Sequence, residues 1–206
     1  MKTIVLVGAA GSMGRRYQAI LKHFGARAVL FDPAMQNPYP FLDTVGSAVR
    51  ASDGVIIASP TATHAAYCIS LADAGVPILC EKPVSTDLDE VEAVLDRVSG
   101  PFRMMAQYTL LNPFDDGETF YDFYHSGSDG LAWDCIQLLG LARGFVTLRD
   151  ESPIWRCTLN GRILSLDDVG WAYVEYVKQW LDEPEPHNSR ASRDWILRAH
   201  RIAARL

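Results

Sequence analysis

Apolar, largely β-branched residues occur in short unbroken runs through the first half of the chain. The runs are Thr3-Ile4-Val5-Leu6-Val7, Ala28–Phe31, Gly54–Ala58 and Ile78–Cys80, and a fifth strand, interrupted by Arg103 and Gln107, is expected at Arg103–Tyr108. Unbroken runs of this length suit strands buried on both faces, as in a parallel sheet. Between them lie helical patterns: from the glycine turn ending at Gly14 through Phe24-Gly25, from after His64 to about Ala74, and from about Thr86 to Val98. Thr86 and Asp89 have the spacing of a capping box at the start of the last of these. Strand and helix in alternation predict an α/β fold with a doubly wound parallel sheet.

The second half changes rhythm. Helices are expected at about Gly117–His125 and Leu131–Ala142, then short strands at Gly144–Arg149, Ile154–Leu159 and Arg162–Leu164. Asn160-Gly161 between the last two is a two-residue hairpin signal. A helix follows from about Leu166 to Leu181, with Asp167 and Asp168 at its positive end. After the break Glu183-Pro184-Glu185-Pro186-His187, a last helix spans about Ala191–Arg205. It places Trp195, Ala199, Ile202, Ala203 and Leu206 on one face and Arg193, Arg198, Arg201 and Arg205 on a solvated one. This predicts two domains: 1–109, built on the parallel sheet, and 110–206, a small α+β domain with a short antiparallel sheet.

Composition narrows the classes. The chain has 206 residues, 49% hydrophobic and 21% charged, which suits a soluble globular protein. The net charge of −6 argues against a general nucleic-acid-binding surface. No apolar run nears the roughly 20 residues of a membrane span. The first strand begins at residue 3, so no signal peptide is expected. Cys68, Cys80, Cys135 and Cys157 are scattered without a C-x-x-C, and no metal site is expected. These features predict a reduced, cytoplasmic protein with Cys68 and Cys80 in its core.

Candidate chemistry starts where the first strand stops. Gly8-x-x-Gly11-x-x-Gly14, with Ser12 and Met13 between the last two, is a glycine-rich turn that opens a helix. Such a turn lets backbone approach a pyrophosphate, and the helix N-terminus supplies N–H groups and positive dipole. The spacing is looser than G-x-G-x-x-G, and alone it could be a mere turn. Asp32 ends the second strand 18 residues beyond Gly14, near the roughly 20 at which an acid binds an adenosine ribose. Pro33-Ala34-Met35-Gln36 follow, with no cation for a 2′-phosphate, which favours NAD over NADP. Ser59-Pro60-Thr61 and His64 come after the third strand, and Glu81-Lys82-Pro83 after the fourth. In an open α/β sheet, ligands sit beyond these carboxyl ends. A lysine there can hydrogen-bond a substrate oxygen and transfer a proton, although a surface salt bridge to Glu81 would also account for it.

Taken together, Gly8 to Gly14, Asp32, Ser59 to His64 and Ala74 to Pro83 resemble the glucose-fructose oxidoreductase / inositol dehydrogenase (Gfo/Idh/MocA) family. Ser59 stands where the family has Thr, and Ile78 where it has Val. The resemblance covers about the first half of the chain. It implies a Rossmann-type domain with a bound nicotinamide dinucleotide, held by Gly8, Gly11, Ser12, Met13, Gly14, Asp32, Ser59, Pro60, Thr61, His64, Glu81, Lys82 and Gln107. It places Lys82 near the reacting carbon, and Gln107 and Tyr108 against the nicotinamide or substrate. It also implies a sugar-like substrate and leaves a homodimer open, although the chain is too short for the family's large open sheet. Catalytic members carry D-x-x-x-H on a later helix. Asp134 matches the Asp, but the His position holds Leu138, which cannot transfer a proton. Lys82, Asp134 and Tyr108 are the catalytic candidates, with Tyr124 or His125 as substitutes for the missing His. Leu138 also leaves room for a dinucleotide-binding protein without turnover, acting as a sensor or partner-binding subunit. A reductase with a dihydrodipicolinate-reductase-like glycine turn is a weaker third reading, opposed by Glu81-Lys82-Pro83.

Overall fold

Ile4, Val5, Leu6 and Val7 of the first strand are buried, as is every residue of the next two inner strands. That burial on both faces is the reason the runs carry no alternation. In the computed structural model, residues 1–35, 41–111, 121–124, 136, 146–149, 156–159, 162–185 and 193–205 are described. Five parallel strands form the first sheet, in the order β2-β1-β3-β4-β5. They are β1 (Thr3–Val7), β2 (Arg27–Phe31), β3 (Gly54–Ile57), β4 (Ile78–Cys80) and β5 (Phe102–Met104). β2 is an edge strand and its residues are correspondingly more exposed. Helices α1 (Ser12–His23), α2 (Phe41–Arg50), α3 (His64–Leu71) and α4 (Leu88–Arg97) connect the strands.

Three details differ from the pattern read in the sequence, the first being α2 (Phe41–Arg50), which that pattern did not mark. α4 is capped by Asp87, whose carboxylate accepts from Asp89 N at 2.9 Å, not by Thr86. Asp87 directly precedes the first helical residue, and its shorter acid reaches the N2 amide better than a hydroxyl one residue back. β5 ends at Met104, and Gln107–Leu110 turn into a 3-10 helix instead of extending the strand.

The chain divides into two compact units, Met1–Met105 with Lys178–His187, and Ala106–Val177 with Asn188–Leu206. The first therefore includes the end of a late helix, α5 (Leu166–Asp182). Within it, Trp180 packs so close to Gly54 that a Cβ there would lie 2.9 Å from the indole ring. The carbonyl end of α5 is met by cations, as the helix dipole favours. Lys2 Nζ donates to Leu181 O, and the buried Arg103 guanidinium to the carbonyls of Glu183 (2.6 Å), Pro184 (3.0 Å) and Glu185.

In the second unit, β6 (Tyr121–Tyr124), β7 (Val146–Arg149), β8 (Arg156–Leu159) and β9 (Arg162–Leu164) form a sheet in the order β7-β6-β8-β9. The expected antiparallel sheet is mixed, because β6 and β7 run parallel. The helix expected over Gly117–His125 is overturned where it is described: Tyr121-Asp122-Phe123-Tyr124 pair with strands on both sides. Aromatic residues such as Tyr121, Phe123 and Tyr124 favour strands, and pairing partners far along the chain decide the matter. β8 and β9 pair with Leu159 opposite Arg162, as the Asn160-Gly161 signal requires. Of the helix expected over Leu131–Ala142, only Ile136 is described; it is helical and buried. α5 opens with a reciprocal cap: Asp168 N donates to Ser165 Oγ and Ser165 N to Asp168 Oδ2, both at 3.0 Å. The last helix, α6 (Arg193–Ala203), buries Trp195, Ile196, Ala199, His200 and Ala203.

His200 is fully buried, and Nδ1 lies 2.7 Å from Ile196 O. Burial pushes its pKa down from 6.5 to about 4, against the smaller opposing pull of that bond. The unfolded chain therefore takes up the proton first as pH falls. The stabilisation is complete above pH 6.5 and is lost on the way down to about 4. From the linkage relation, His200 should cost about 2 kcal/mol of stability between pH 7 and pH 5. Urea unfolding at both pH values should show that loss in the parent and a smaller one in His200→Leu; equal losses would refute it.

Candidate functional site

The carboxyl ends of the first sheet converge because the ladder continues past the strands. Gly8 N and Ala9 N donate to Phe31 O, Ala58 N to Val7 O, Glu81 N to Ile57 O and Met105 N to Cys80 O, at 2.7 to 3.3 Å. Gly8, Asp32, Ser59 and Glu81 thus stand side by side along one edge of the unit.

The glycine turn has three different demands. Gly8 has φ +83°, and a Cβ there would strike the Ala58 carbonyl at 2.5 Å. A Cβ on Gly14 would collide with Gly8 O and lie 2.7 Å from Ala9 Cα. Gly14 is what lets α1 pack onto the end of β1. Gly11 is exposed, with ordinary φ −67° and ψ 168°, and a Cβ there would meet only Gly8 O at 3.4 Å and Ala58 O at 4.0 Å. The fold itself does not require glycine at Gly11. What a side chain there would obstruct is the approach of something from outside.

Around the turn, carbonyls are occupied. Ala9 O accepts from Gln18 Nε2 at 2.8 Å, and Ala10 O from the Arg15 guanidinium. The first helical bond is Arg15 N to Gly11 O, so the amides of Ser12, Met13 and Gly14 precede the helical ladder. These donors, the helix dipole and Arg15 suit a pyrophosphate.

Asp32 closes the other side. Its Oδ2 accepts from Ala10 N at 2.9 Å and its Oδ1 from Ala34 N at 2.8 Å. An ionised carboxylate has about four acceptor positions, so capacity remains for a ribose hydroxyl. Tyr67 of α3 is near enough that its phenol pKa is raised, first by burial and then by the Asp32 charge.

After β3, Ser59 and Pro60 lead into a 3-10 turn, Thr61–Thr63, tied back by Thr63 Oγ1 to Ser59 Oγ (2.8 Å) and Pro60 O (2.7 Å). His64 is 1% exposed, and its ring bridges two loops: Nδ1 lies 2.8 Å from Pro83 O and Nε2 2.7 Å from Ser59 O. After β4, Glu81 is buried, Lys82 is half-buried, and the Lys82-Pro83 peptide is cis. The Glu81 carboxylate accepts from Tyr17 Oη at 2.8 Å through Oε1 and from Lys82 N at 3.2 Å through Oε2. Nothing singled out Tyr17 in the sequence. The available signal was a phenol in line with Ile20 and Leu21 on the buried face of α1, where a hydroxyl needs a partner. Cys68 and Cys80 are both buried. Burial, the Cys68 bond and nearby charge raise the Cys80 thiol's pKa, which marks it as core and not nucleophile.

The structure thus brings Gly8, Gly11, Ser12, Met13, Gly14, Asp32, Ser59, Pro60, Thr61, His64, Glu81 and Lys82 to one edge of the first unit. Gln107 and Tyr108 lie in the 3-10 turn after β5, both buried, and group with the second unit. Asp134, Leu138 and His125 fall outside the described residues, as does the side chain of Tyr124. Among the described residues there is no group of His, Cys, Asp and Glu that could hold a metal. None of their helices is long and apolar enough to cross a membrane.

Residues 2–100 match the family described as oxidoreductases with an NAD-binding Rossmann fold. Over that segment, just under half of the chain, the sequence matches the Gfo/Idh/MocA oxidoreductase family. An inositol 2-dehydrogenase of Rhodococcus erythropolis is 33% identical over 63 residues, 31% of this chain and 18% of that protein. A glucose-6-phosphate 3-dehydrogenase of Bacillus subtilis is 30% identical over 105 residues, 47% of this chain and 30% of that protein. The matched segments thus span less than a third of these curated relatives. Among solved structures, the WlbA dehydrogenase of Thermus thermophilus, in complex with NAD and α-ketoglutarate, has TM-score 0.73 and 16% identity, covering 99% of this chain and 94% of that one. A myo-inositol dehydrogenase of Corynebacterium glutamicum has TM-score 0.69 and 14% identity, covering 98% and 94%. At such identities the likeness is one of fold.

The geometry separates the glycines in this Gfo/Idh/MocA turn. Gly11→Val should leave circular dichroism and the unfolding midpoint close to the parent's yet abolish calorimetric binding of NAD(H). Gly14→Ala should instead lower stability by about 1–3 kcal/mol or more, the range for overpacking a tight contact. Unchanged NAD(H) affinity in Gly11→Val would show that the turn does not hold the pyrophosphate.

Proposed function

We propose that the chain is an NAD-dependent oxidoreductase that moves hydride between nicotinamide and a carbinol or carbonyl carbon of a sugar-like substrate. The observation that carries this reading is Lys82, half-buried at the carboxyl end of β4 on the same edge as the glycine turn and Asp32. The sugar, polyol and sugar-phosphate dehydrogenases among its relatives support the substrate class.

The residues fit the cofactor. The Ser12, Met13 and Gly14 amides would hold the pyrophosphate, and Asp32 the adenosine ribose. Ser59, Pro60, Thr61 and Gln107 would line the nicotinamide half. Bound NAD(H) supplies the hydride acceptor or donor. Lys82 would hydrogen-bond the substrate oxygen and polarise it. In oxidation its amine takes the carbinol O–H proton; in reduction its ammonium returns one to the carbonyl oxygen. Tyr108 would assist at that oxygen and Asp134 would orient the substrate. Residues 110–206 are proposed as a substrate and oligomerisation domain, which leaves a homodimer open. Free, buried Cys68 and Cys80 suit a reducing, cytoplasmic setting.

Asp32 should favour NAD(H) over NADP(H), because it would repel a 2′-phosphate and Pro33-Ala34-Met35-Gln36 offer no cation. Calorimetry should give the tighter dissociation constant for NAD(H). Asp32→Ala also removes the acceptor for Ala10 N, so both affinities should fall while their ratio narrows. Tighter NADP(H) binding by the parent would overturn the assignment.

Activity should be sought by nicotinamide absorbance with myo-inositol, glucose 6-phosphate and UDP-N-acetylglucosamine. With a turning-over substrate, Lys82→Met should lower kcat by about 10²- to 10⁴-fold, the usual contribution of a positioned acid–base group, with NAD(H) affinity nearly intact. His125→Ala should change kcat little. Retained activity in Lys82→Met would remove Lys82 from the mechanism.

A further inference from the structure

The loop that carries Lys82 is gripped on both flanks by buried side chains from the helices. On one flank Tyr17, with no exposed surface, donates to Glu81 Oε1 at 2.8 Å, and the 6%-exposed Glu81 accepts the Lys82 amide at its other oxygen. Two donors thus converge on two oxygens of one side chain. A carboxylate accepts at both; a glutamine has one acceptor oxygen and would face the other donor with its own N–H₂. That explains why an acid is buried here instead of an amide. On the other flank, the His64 ring spans the carbonyls of Pro83 and Ser59. Lys82 sits between these two brackets.

Tyr17 also has a fixed origin. It lies three residues past Gly14, one turn along α1 from the contact that seats this helix against β1. The same seating puts the Ser12, Met13 and Gly14 amides at the phosphate position. A shift of α1 would move the anion site and the bracket together.

We propose that Tyr17 is a positioning residue for Lys82, acting through Glu81, so that the helix holding the pyrophosphate also sets where the lysine stands. The inference rests on the role given to Lys82 above.

Lysine NMR can test it directly. The chain has four lysines, Lys2, Lys22, Lys82 and Lys178, and all but Lys82 are exposed. With ¹³Cε-labelled lysine the full chain should give four signals, that of Lys82 assigned by its loss in Lys82→Arg. In the parent the Lys82 signal should stand apart from the other three. In Tyr17→Phe, which keeps the buried ring and removes the hydroxyl, it should move toward them and sharpen. NADH affinity should stay within about threefold of the parent's, because the lost bond does not touch the turn. Once a substrate is found, kcat should fall about tenfold or more, as misplacement of a catalytic group does, with the cofactor KM unchanged. Glu81→Gln keeps the volume but satisfies only one of the two donors, so it should displace the same signal. It decides the matter if Tyr17→Phe does not fold. A Lys82 signal unmoved in a folded Tyr17→Phe or Glu81→Gln would overturn the proposal. So would a loss of NADH affinity with that signal in place, or failure of both variants to fold, which would assign the pair to stability alone. If the parent binds no NADH, the functional reading fails, while the comparison of the free proteins still decides this one.

Discussion

The contact between Gly14 and the backbone of Gly8 and Ala9 is the constraint on which the rest of the candidate site depends. No side chain fits there, because even a Cβ would overlap Gly8 O. Helix α1 can therefore press its first turn against the end of β1. Its free amides then stand at the strand edge, and Tyr17 reaches Glu81 across the unit. A larger residue at Gly14 would shift both at once, since close-packed interiors transmit displacement instead of absorbing it.

The first unit also shows how polar groups are accommodated inside an apolar sheet. Glu81, His64 and Arg103 are all buried, and each is met by fixed partners: a phenol and an amide, two carbonyls, and three carbonyls. Buried polar groups without such partners cost several times more than a typical bond returns. These pairings hold three loops or chain ends to the sheet.

The match to the Gfo/Idh/MocA family lies in the first unit, over residues 2–100. The second unit has the more unusual sheet, with β6 and β7 parallel.

Much of this was legible along the chain. Unbroken apolar runs specified buried strands because both faces of a parallel sheet demand apolar side chains. Glycine spacing specified the turn that opens α1 because its backbone geometry is a local requirement. Asn160-Gly161 specified a hairpin for the same reason. Other features depended on groups far apart in sequence. Asp32 binds the amide of Ala10, 22 residues away, and Tyr17 meets Glu81 across 64. Arg103 binds carbonyls some 80 residues on. Tyr121–Tyr124 are a strand because β7 and β8 offer them partners, although their spacing read as helix. Local pattern states what a segment can become; which buried polar group meets which partner is settled only when the packed chain brings them within a hydrogen bond of one another.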